Sequence, residues 1–310
     1  MKPATAPRLR RSSRRGPASV TVSVPGTSAN LGPGFDTLGL ALRLHNRARV
    51  TPVKGREITI TSPLAEEARA GATDLVREAA TLFYRRTRKP FAGFDIELTG
   101  DVPIARGLGS SVTVRLGTVA ALNEITRAQL TRQDLFQIVA ELEGHPDNAA
   151  PATFGGFTAS TMVHGVARAV RFPIPRRFQF VTLIPPFEVP TSEARRLVPL
   201  TFSKADTVHC LTRVSVITAA FAAGDAEALR GLFDDRIHQP YREKLIPQLS
   251  AVLRAGERAG AVGGWLSGSG STMMCLAIER VEAVRRAMAR ELPGAKTLVL
   301  PADARGFAVL

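Results

Sequence analysis

Residues 103–111 contain the residue types that bind phosphate. Their sequence is Pro-Ile-Ala-Arg-Gly-Leu-Gly-Ser-Ser, and the segment that follows is compatible with a helix. Gly107 and Gly109 allow close approach of the backbone to a ligand, and Ser110 and Ser111 stand at the expected helix start. The first N–H groups of a helix lack intrahelical partners, and the helix dipole favours negative charge there. The segment therefore predicts an anion site, although a loop with a helix cap fits the same residues. No Lys-Ser/Thr follows the glycines, so this is not a Walker A loop.

Two other loops have a similar composition. Residues 25–36 read Pro-Gly-Thr-Ser-Ala-Asn-Leu-Gly-Pro-Gly-Phe-Asp and hold Asn30 and Asp36 in a rigid glycine- and proline-rich turn. Residues 263–272 read Gly-Gly-Trp-Leu-Ser-Gly-Ser-Gly-Ser-Thr. Together with the first loop they favour a phosphate-binding enzyme over an isolated helix cap.

Strand and helix patterns mix along the chain without strict alternation, which predicts an α+β fold. Thr131 and Asp134 resemble a capping box at the start of a helix that should end at Gly144. Strands are expected over 20–24, 58–61, 94–98, 180–184 and 272–278, and helices over 74–85, 112–125, 208–223, 225–235 and 246–259.

Composition is that of an ordinary soluble globular protein. The 310 residues are 45% hydrophobic and 22% charged, and no apolar run approaches the roughly 18–20 residues that span a bilayer. Cys210 and Cys275 offer neither a disulfide framework nor a metal-ligand spacing. We expect a cytoplasmic protein with no membrane partner.

The formal charge of +14 partly reflects the first residues. Residues 1–18 lack apolar periodicity and are predicted to form a disordered basic tail. No basic motif interleaved with aromatic residues supports nucleic-acid binding. The remaining positive charge suits anionic ligands, among them nucleotides.

The order and spacing of the three loops resemble those of the GHMP small-molecule kinases. Within that superfamily the chain is similar to the homoserine kinases at residues 143–151, 191–195 and 238–245. The resemblance implies a GHMP kinase fold, with an N-terminal domain like ribosomal protein S5 domain 2 (residues 19–175) and a ferredoxin-like C-terminal domain (176–310). It implies ATP-dependent phosphorylation of the hydroxyl of L-homoserine, in threonine biosynthesis. A homodimer is compatible with the sequence.

The resemblance also assigns residues to ATP and Mg²⁺. Glu143 matches the magnesium carboxylate, with Glu141 as the alternative if the register differs, and Ser110 or Ser111 could reach the ion. Residues implied in nucleotide binding are Pro103, Arg106, Gly107, Leu108, Gly109, Ser110, Ser111, Ser267, Gly268 and Gly270.

Homoserine presents an ammonium, a carboxylate and a hydroxyl, so its site should combine charges of both signs with hydrogen-bonding groups. Asp36 could hold the ammonium, and the arginines could bind the carboxylate or the transferring phosphate. The substrate-binding residues implied are Asn30, Asp36, His145, Asp147, Arg195 and Arg242, and the catalytic ones are Asn148, Arg195 and Arg242. Several relatives place an aspartate where Asn148 stands. Asparagine cannot accept a proton at neutral pH. The resemblance to the homoserine kinases implies catalysis without a strong enzyme base, by positioning and electrostatics.

The chain departs from the family pattern directly after Ser111. Small residues are usual there, whereas this chain has Val-Thr-Val-Arg at 112–115. This departure motivates one alternative, a catalytically inactive GHMP-fold regulator. Another GHMP kinase, acting on threonine or an isoprenoid alcohol, is a second alternative.

Overall fold

The computed structural model describes residues 19–62 and 66–310, so the predicted tail at 1–18 lies outside the described residues. The strands are β1 Val20–Ala29, β2 Leu38–Pro52, β3 Ile58–Thr61, β4 Phe94–Gly100, β5 Phe157–Val163, β6 Val166–Phe172, β7 Gln179–Ile184, β8 Gly263–Leu266, β9 Met273–Ala277, β10 Lys296–Pro301 and β11 Ala308–Val309. The helices are α1 Glu66–Thr87, α2 Ser110–Thr126, α3 Arg132–Glu143, α4 Ala149–Phe154, α5 Thr191–Arg196, α6 Lys204–Ala223, α7 Gln239–Arg242, α8 Leu249–Arg258 and α9 Val281–Glu291.

The strands form two sheets. The first has the order β11-β1-β2-β4-β3, and the β5–β6 hairpin joins it through β2. Its pairs are antiparallel except for β3 and β4. The second sheet is antiparallel, with the order β10-β7-β9-β8. Antiparallel sheets with helices packed against them make this an α+β fold, as predicted from the sequence.

The long strand β2 divides the first sheet. Its first residues, from Leu38 to Leu40, pair with β5, whereas its later residues, from Asn46 to Pro52, pair with β4. β1 runs beside it throughout, with a register shift between Pro25 and Gly26. This fork places the loop between β1 and β2 next to the second sheet.

Three apolar clusters hold the elements together. Helices α1, α2 and α3 pack on the first sheet through buried residues such as Phe83, Leu116 and Phe136. A second cluster, which includes Phe157 and Trp265, lies where the two sheets and α6 meet. A third lies between the second sheet and helices α8 and α9. The junction between the sheets is therefore a packed core, which fixes the loops at its edge.

The two predicted domains correspond broadly to the two sheets. The predicted boundary at 175/176 lies between β6 and β7, which belong to different sheets. The last residues return to the first sheet: β11 pairs with β1, and the Asp303 carboxylate lies 3.1 Å from Nε2 of His45 in β2. The domain division stays a prediction.

Local signals placed α3 correctly. Thr131 Oγ1 accepts from the Asp134 amide at 3.2 Å, and the Asp134 carboxylate accepts from the Thr131 amide at 2.8 Å. Gly144 ends the helix in the left-handed region, with φ of 77°. The predicted capping box and glycine stop are therefore confirmed.

The helix predicted over 225–235 is wrong. Only Glu227–Leu229 forms a short 3-10 turn. The Asp225 carboxylate accepts from the amides of Glu227 and Ala228, which caps this turn, and Gly231 then reverses the chain at φ of 71°. Local side-chain bonds of this kind compete with a continuing helix.

Among the described residues, no helix is both long enough and apolar enough to cross a membrane.

Candidate active site

Hydrogen bonds to backbone carbonyls join the three glycine-rich loops at the junction between the sheets. The Ser267 hydroxyl donates to the Gly107 carbonyl at 2.7 Å, and the Gly268 amide donates to the Ala29 carbonyl at 3.2 Å. The Asn30 amide group donates to the Gly268 carbonyl at 3.1 Å. Segments far apart in the sequence thus line one cleft.

Most of the residues predicted from the sequence line this cleft. They are Asn30, Asp36, Gly107, Gly109, Ser110, Ser111, Glu143, His145, Asp147, Asn148, Arg195, Arg242 and Gly268.

Five predicted residues lie outside the cleft lining: Pro103, Arg106, Leu108, Ser267 and Gly270. The guanidinium of Arg106 donates to the Pro185 carbonyl at 3.2 Å and pairs with Glu188 at 3.1 Å. Leu108 is buried in the core, and Ser267 is buried where it joins two loops. The side chains of Arg106, Leu108 and Ser267 therefore contact neighbouring segments and do not line the cleft.

The first turn of α2 opens onto the cleft without a side-chain cap. Gly109 precedes the helix in the left-handed region, with φ of 70°, and no acidic residue occupies the first turn. A Cβ atom on Gly107 would lie 2.1 Å from the Ser267 carbonyl oxygen, and one on Gly109 would lie 2.1 Å from Thr27 Oγ1. Glycine is thus required at both positions. The uncapped amides and the helix dipole can bind an anion.

Glu143 lies beside this helix start. Its Oε2 accepts from the Ser111 hydroxyl at 3.1 Å, and its Oε1 accepts from Arg115 Nη1 at 2.6 Å. Glu141, the alternative metal ligand, pairs instead with Arg85 and Arg86 and does not line the cleft. Geometry therefore favours Glu143. Its contact with Arg115 was not expected from the sequence.

His145 and Asp147 form a tight pair in the cleft wall. His145 Nδ1 lies 2.6 Å from Asp147 Oδ1, which also accepts from the Asn148 amide at 2.9 Å. Burial lowers the pKa of His145, but the hydrogen bond and charge of Asp147 outweigh burial, so the net pKa is raised. The pair favours an imidazolium beside a buried carboxylate.

The Asn148 side chain is held by a hydrogen bond from the uncharged hydroxyl of Thr27. Its Oδ1 accepts from the Thr27 hydroxyl at 2.7 Å, and its Nδ2 lies 3.4 Å from Asp147 Oδ1. This contact fixes the side chain against β1 and leaves the residue in the cleft wall. The arrangement can orient a polar group but provides no base.

Asp36 and Arg195 pair across the cleft. Nη2 donates to Oδ1 at 2.7 Å and Nη1 donates to Oδ2 at 3.1 Å. The Asp36 amide donates to Asn30 Oδ1 at 3.0 Å, which holds the residue at a φ of 54°. One ligand atom each of Asp36, His145 and Asp147 lies within 4.8 Å of the others. Two carboxylates at this spacing suit a substrate cation.

Arg242 is the most deeply buried cation of the cleft. Its Nη1 donates to the Gly268 carbonyl at 2.8 Å and to His238 Nδ1 at 3.1 Å. Burial, and next the charge of Arg195, lower the pKa of Arg242 to about 10, so it stays positive at neutral pH. Burial also lowers the pKa of His238, which as a neutral ring can donate from Nε2 to the Gly32 carbonyl at 2.9 Å.

Four cleft residues were not among those predicted: Phe35, Ala105, Thr191 and Ser269. Each lies inside one of the three glycine-rich loops or the 191–195 segment, so its position next to predicted site residues was the signal that could have identified it. The ring of Phe35 lies 5.7 Å from the Arg195 guanidinium and 5.3 Å from that of Arg242. An aromatic ring within reach of two arginines could not be predicted from the sequence.

Comparison with known proteins gives consistent matches. The family model described as GHMP kinases N terminal domain matches residues 74–156, and the one described as GHMP kinases C terminal matches 217–294. A curated homoserine kinase of Deinococcus radiodurans is 38% identical over 84% of this chain and 85% of its own length. One of Microchaete diplosiphon is 36% identical over 94% of this chain and 95% of its own length. The crystal structure of homoserine kinase from Cytophaga hutchinsonii superposes with a TM-score of 0.85 at 26% identity, covering 97% of this chain and all of that one.

Proposed function

The chain belongs to the GHMP kinase family, and from this premise we propose that it transfers the γ-phosphoryl group of ATP to the hydroxyl of L-homoserine. The products would be O-phospho-L-homoserine and ADP, on the route to threonine. Curated relatives that match most of the chain are homoserine kinases.

The uncapped start of α2 is the observation that carries the proposal. Gly107 and Gly109 bring the backbone close to the cleft, and neither a capping side chain nor an acidic residue competes for the first-turn amides. These amides would bind the phosphates of ATP. ATP itself is expected from the family.

The side chains beside this helix start fit Mg²⁺. Ser110, Ser111 and Glu143 present hydroxyl and carboxylate oxygens to the same cleft, and oxygen is the ligand type that Mg²⁺ prefers. Ser111 and Glu143 would hold the ion, and Ser110 is the alternative hydroxyl ligand. When bound, the ion would neutralise part of the negative charge of the phosphates.

The opposite end of the cleft fits an amino acid. Asp36 and Asp147 would attract its ammonium, while Arg195 and Arg242 would bind its carboxylate or the transferring phosphate. His145, with its raised pKa, adds a positive donor beside Asp147. Charges of both signs in one cleft favour a zwitterion over an isoprenoid alcohol.

In the proposed step, the substrate hydroxyl oxygen bonds to the γ-phosphorus as the bond from phosphorus to the β–γ bridging oxygen breaks. ADP leaves, and the hydroxyl proton passes to a phosphoryl oxygen or to solvent. Asn148 would orient the hydroxyl, since Thr27 fixes its side chain. Phosphoryl transfer depends mainly on such positioning and on charge stabilisation.

An ADP-release assay with Mg²⁺ and ATP tests the proposal against homoserine, threonine, serine and mevalonate. Turnover with homoserine alone, or far above the others, supports it. Preference for threonine or mevalonate would assign a different kinase of the family. No turnover with any of them, with ATP still bound, would favour a regulator.

We further propose a cytoplasmic location, which the two buried free thiols of Cys210 and Cys275 support because disulfides are rare there. A homodimer is our expectation for the assembly, and sedimentation velocity tests it.

A further inference from the structure

Arg115 connects three helices directly behind the candidate phosphate loop. From α2, its Nη1 donates to Glu143 Oε1 on α3 at 2.6 Å, and its Nη2 donates to Glu78 Oε2 on α1 at 2.6 Å. The side chain is 12% exposed and that of Glu143 is 9% exposed. This residue ends the Val-Thr-Val-Arg segment that directly follows Ser111.

The cation is fixed at this place. Burial lowers the pKa of Arg115, but the charges and hydrogen bonds of Glu143 and Glu78 outweigh burial and raise it, so the guanidinium is permanently positive. Among the residues that the structure describes, no group forms a hydrogen bond with its Nε. The side chain thus gives up one hydrogen bond while both of its terminal amino groups reach carboxylates. A side chain that only filled space behind the loop would not require hydrogen bonds to two carboxylates.

The two oxygens of Glu143 consequently have different surroundings. Oε1 is occupied by Arg115. Within the described part of the chain, Oε2 accepts a single hydrogen bond, from the hydroxyl of Ser111, a residue that lines the cleft. Arg115 itself does not line the cleft. A cation that enters the cleft therefore finds one carboxylate oxygen open and the other already used.

We propose that Arg115 is a positioning residue that restricts Glu143 to one-oxygen metal ligation and so selects Mg²⁺ over Ca²⁺. Ca²⁺ accommodates both oxygens of a carboxylate, whereas Mg²⁺ demands octahedral geometry and is bound through one or two carboxylates together with substrate phosphates. The positive charge also weakens binding of a free divalent cation, so that the ion enters with the nucleotide. The inference rests on the proposed function, because it takes Glu143 as the metal carboxylate.

Direct metal binding separates this role from a purely structural one. Replacing Arg115 alone would leave two unpaired carboxylates, and Glu78 could then become a new ligand. The test therefore compares Glu78→Gln with the double variant Glu78→Gln/Arg115→Leu. In both variants Glu143 is the remaining carboxylate of the two that contact Arg115 in the wild type. Circular dichroism verifies that both are folded.

Two quantities are measured: Mn²⁺ binding without nucleotide, by electron paramagnetic resonance, and the ratio of Mg²⁺ to Ca²⁺ affinity with a non-hydrolysable ATP analogue. We expect the double variant to bind free Mn²⁺ about tenfold or more tightly, since a unit positive charge near the ligand is removed. Its preference for Mg²⁺ over Ca²⁺ should fall. Adding Glu143→Gln should abolish the gain in Mn²⁺ affinity.

The proposal is overturned if both quantities match those of Glu78→Gln, in which case Arg115 only ties the helices together. If the double variant does not fold, Glu78→Gln/Arg115→Gln gives the same comparison with a polar side chain. Neither readout requires turnover. Failure of the kinase assay therefore leaves this test intact, and a negative metal result leaves the kinase proposal standing.

Discussion

The carboxylate of Asp36 and the guanidinium of Arg195 form a two-point ion pair across the cleft, with N–O distances of 2.7 and 3.1 Å. Both side chains remain about one-third exposed. The residue proposed to hold the substrate ammonium is thus already neutralised by a residue proposed to bind an anion. A bound zwitterion can replace this ion pair, because its ammonium can contact Asp36 while its carboxylate contacts Arg195.

Asp36→Asn should weaken homoserine binding selectively. The KM for homoserine is expected to rise about 10- to 100-fold, the usual worth of a hydrogen bond to a charged group, while the KM for ATP stays nearly constant. Steady-state kinetics with each substrate varied in turn checks this. Glu282→Gln, which breaks the Arg285 pair on α9, is the matched control. An equal rise in both KM values would mean that Asp36 organises the loops instead.

Gly107→Ala should impair nucleotide binding more than its backbone strain alone explains. Gly107 and Gly165 have similar φ values of 72° and 78°. A Cβ on Gly107 would lie 2.1 Å from the Ser267 carbonyl oxygen, whereas one on Gly165 would have no atom of the described residues within 4 Å. Gly165→Ala should cost about 1–2 kcal/mol of stability with ATP affinity unchanged.

Calorimetric ATP titration and thermal unfolding compare the two variants. Gly107→Ala should lose stability beyond the control and also lose ATP affinity, because the loop must move to relieve the clash. Unchanged ATP affinity in a folded Gly107→Ala protein would contradict the assignment of this loop to phosphate.

Asp147 should make the stability of the protein depend on pH through His145. The pKa of His145 is raised in the folded state, so the pair's contribution is fully present below the unfolded pKa of about 6.5. It is lost as pH rises through the higher folded pKa. In Asp147→Asn, the imidazole should titrate at a lower pH, and the stability difference from wild type should shrink on the alkaline side. Nuclear magnetic resonance of the imidazole and denaturant unfolding across pH measure both.

Asp147→Asn also tests whether phosphoryl transfer proceeds without Asp147 as a catalytic base. If Asp147 acts mainly in binding, Asp147→Asn should raise the KM for homoserine and retain most of kcat. A folded variant that binds homoserine normally but has lost turnover would make Asp147 a catalytic group, and Asn148 would lose its proposed role.

Local patterns predicted the elements, and long-range contacts decided the site. The capping box at Thr131 and the glycine stop at Gly144 depend on neighbours within a few residues, so sequence was sufficient. The helix predicted over 225–235 does not form, because the Asp225 carboxylate accepts from the amides of Glu227 and Ala228 and so stabilises a short turn instead. Pairings such as Asp36 with Arg195 join residues 159 apart in sequence, and no periodicity encodes them.

Arg242→Lys should lower the pH at which the cation at this position loses its charge. Burial lowers the pKa of Arg242 only to about 10, so wild-type activity should not fall through this residue near neutral pH. Lysine starts from a lower pKa of about 10.4 and is also disfavoured as a cation by burial. Its single ammonium cannot reproduce the planar contacts with the Gly268 carbonyl and His238.

We therefore expect Arg242→Lys to reduce kcat/KM for homoserine and to acquire a descending limb in its pH profile at lower pH than wild type. Arg254→Lys, on the outer face of α8, is the control and should leave the profile unchanged. A uniform loss with the wild-type pH profile would show that only the shape of the guanidinium matters. In that case the buried charge of Arg242 would not act on the reacting anion, and Arg195 would be the remaining candidate for that role.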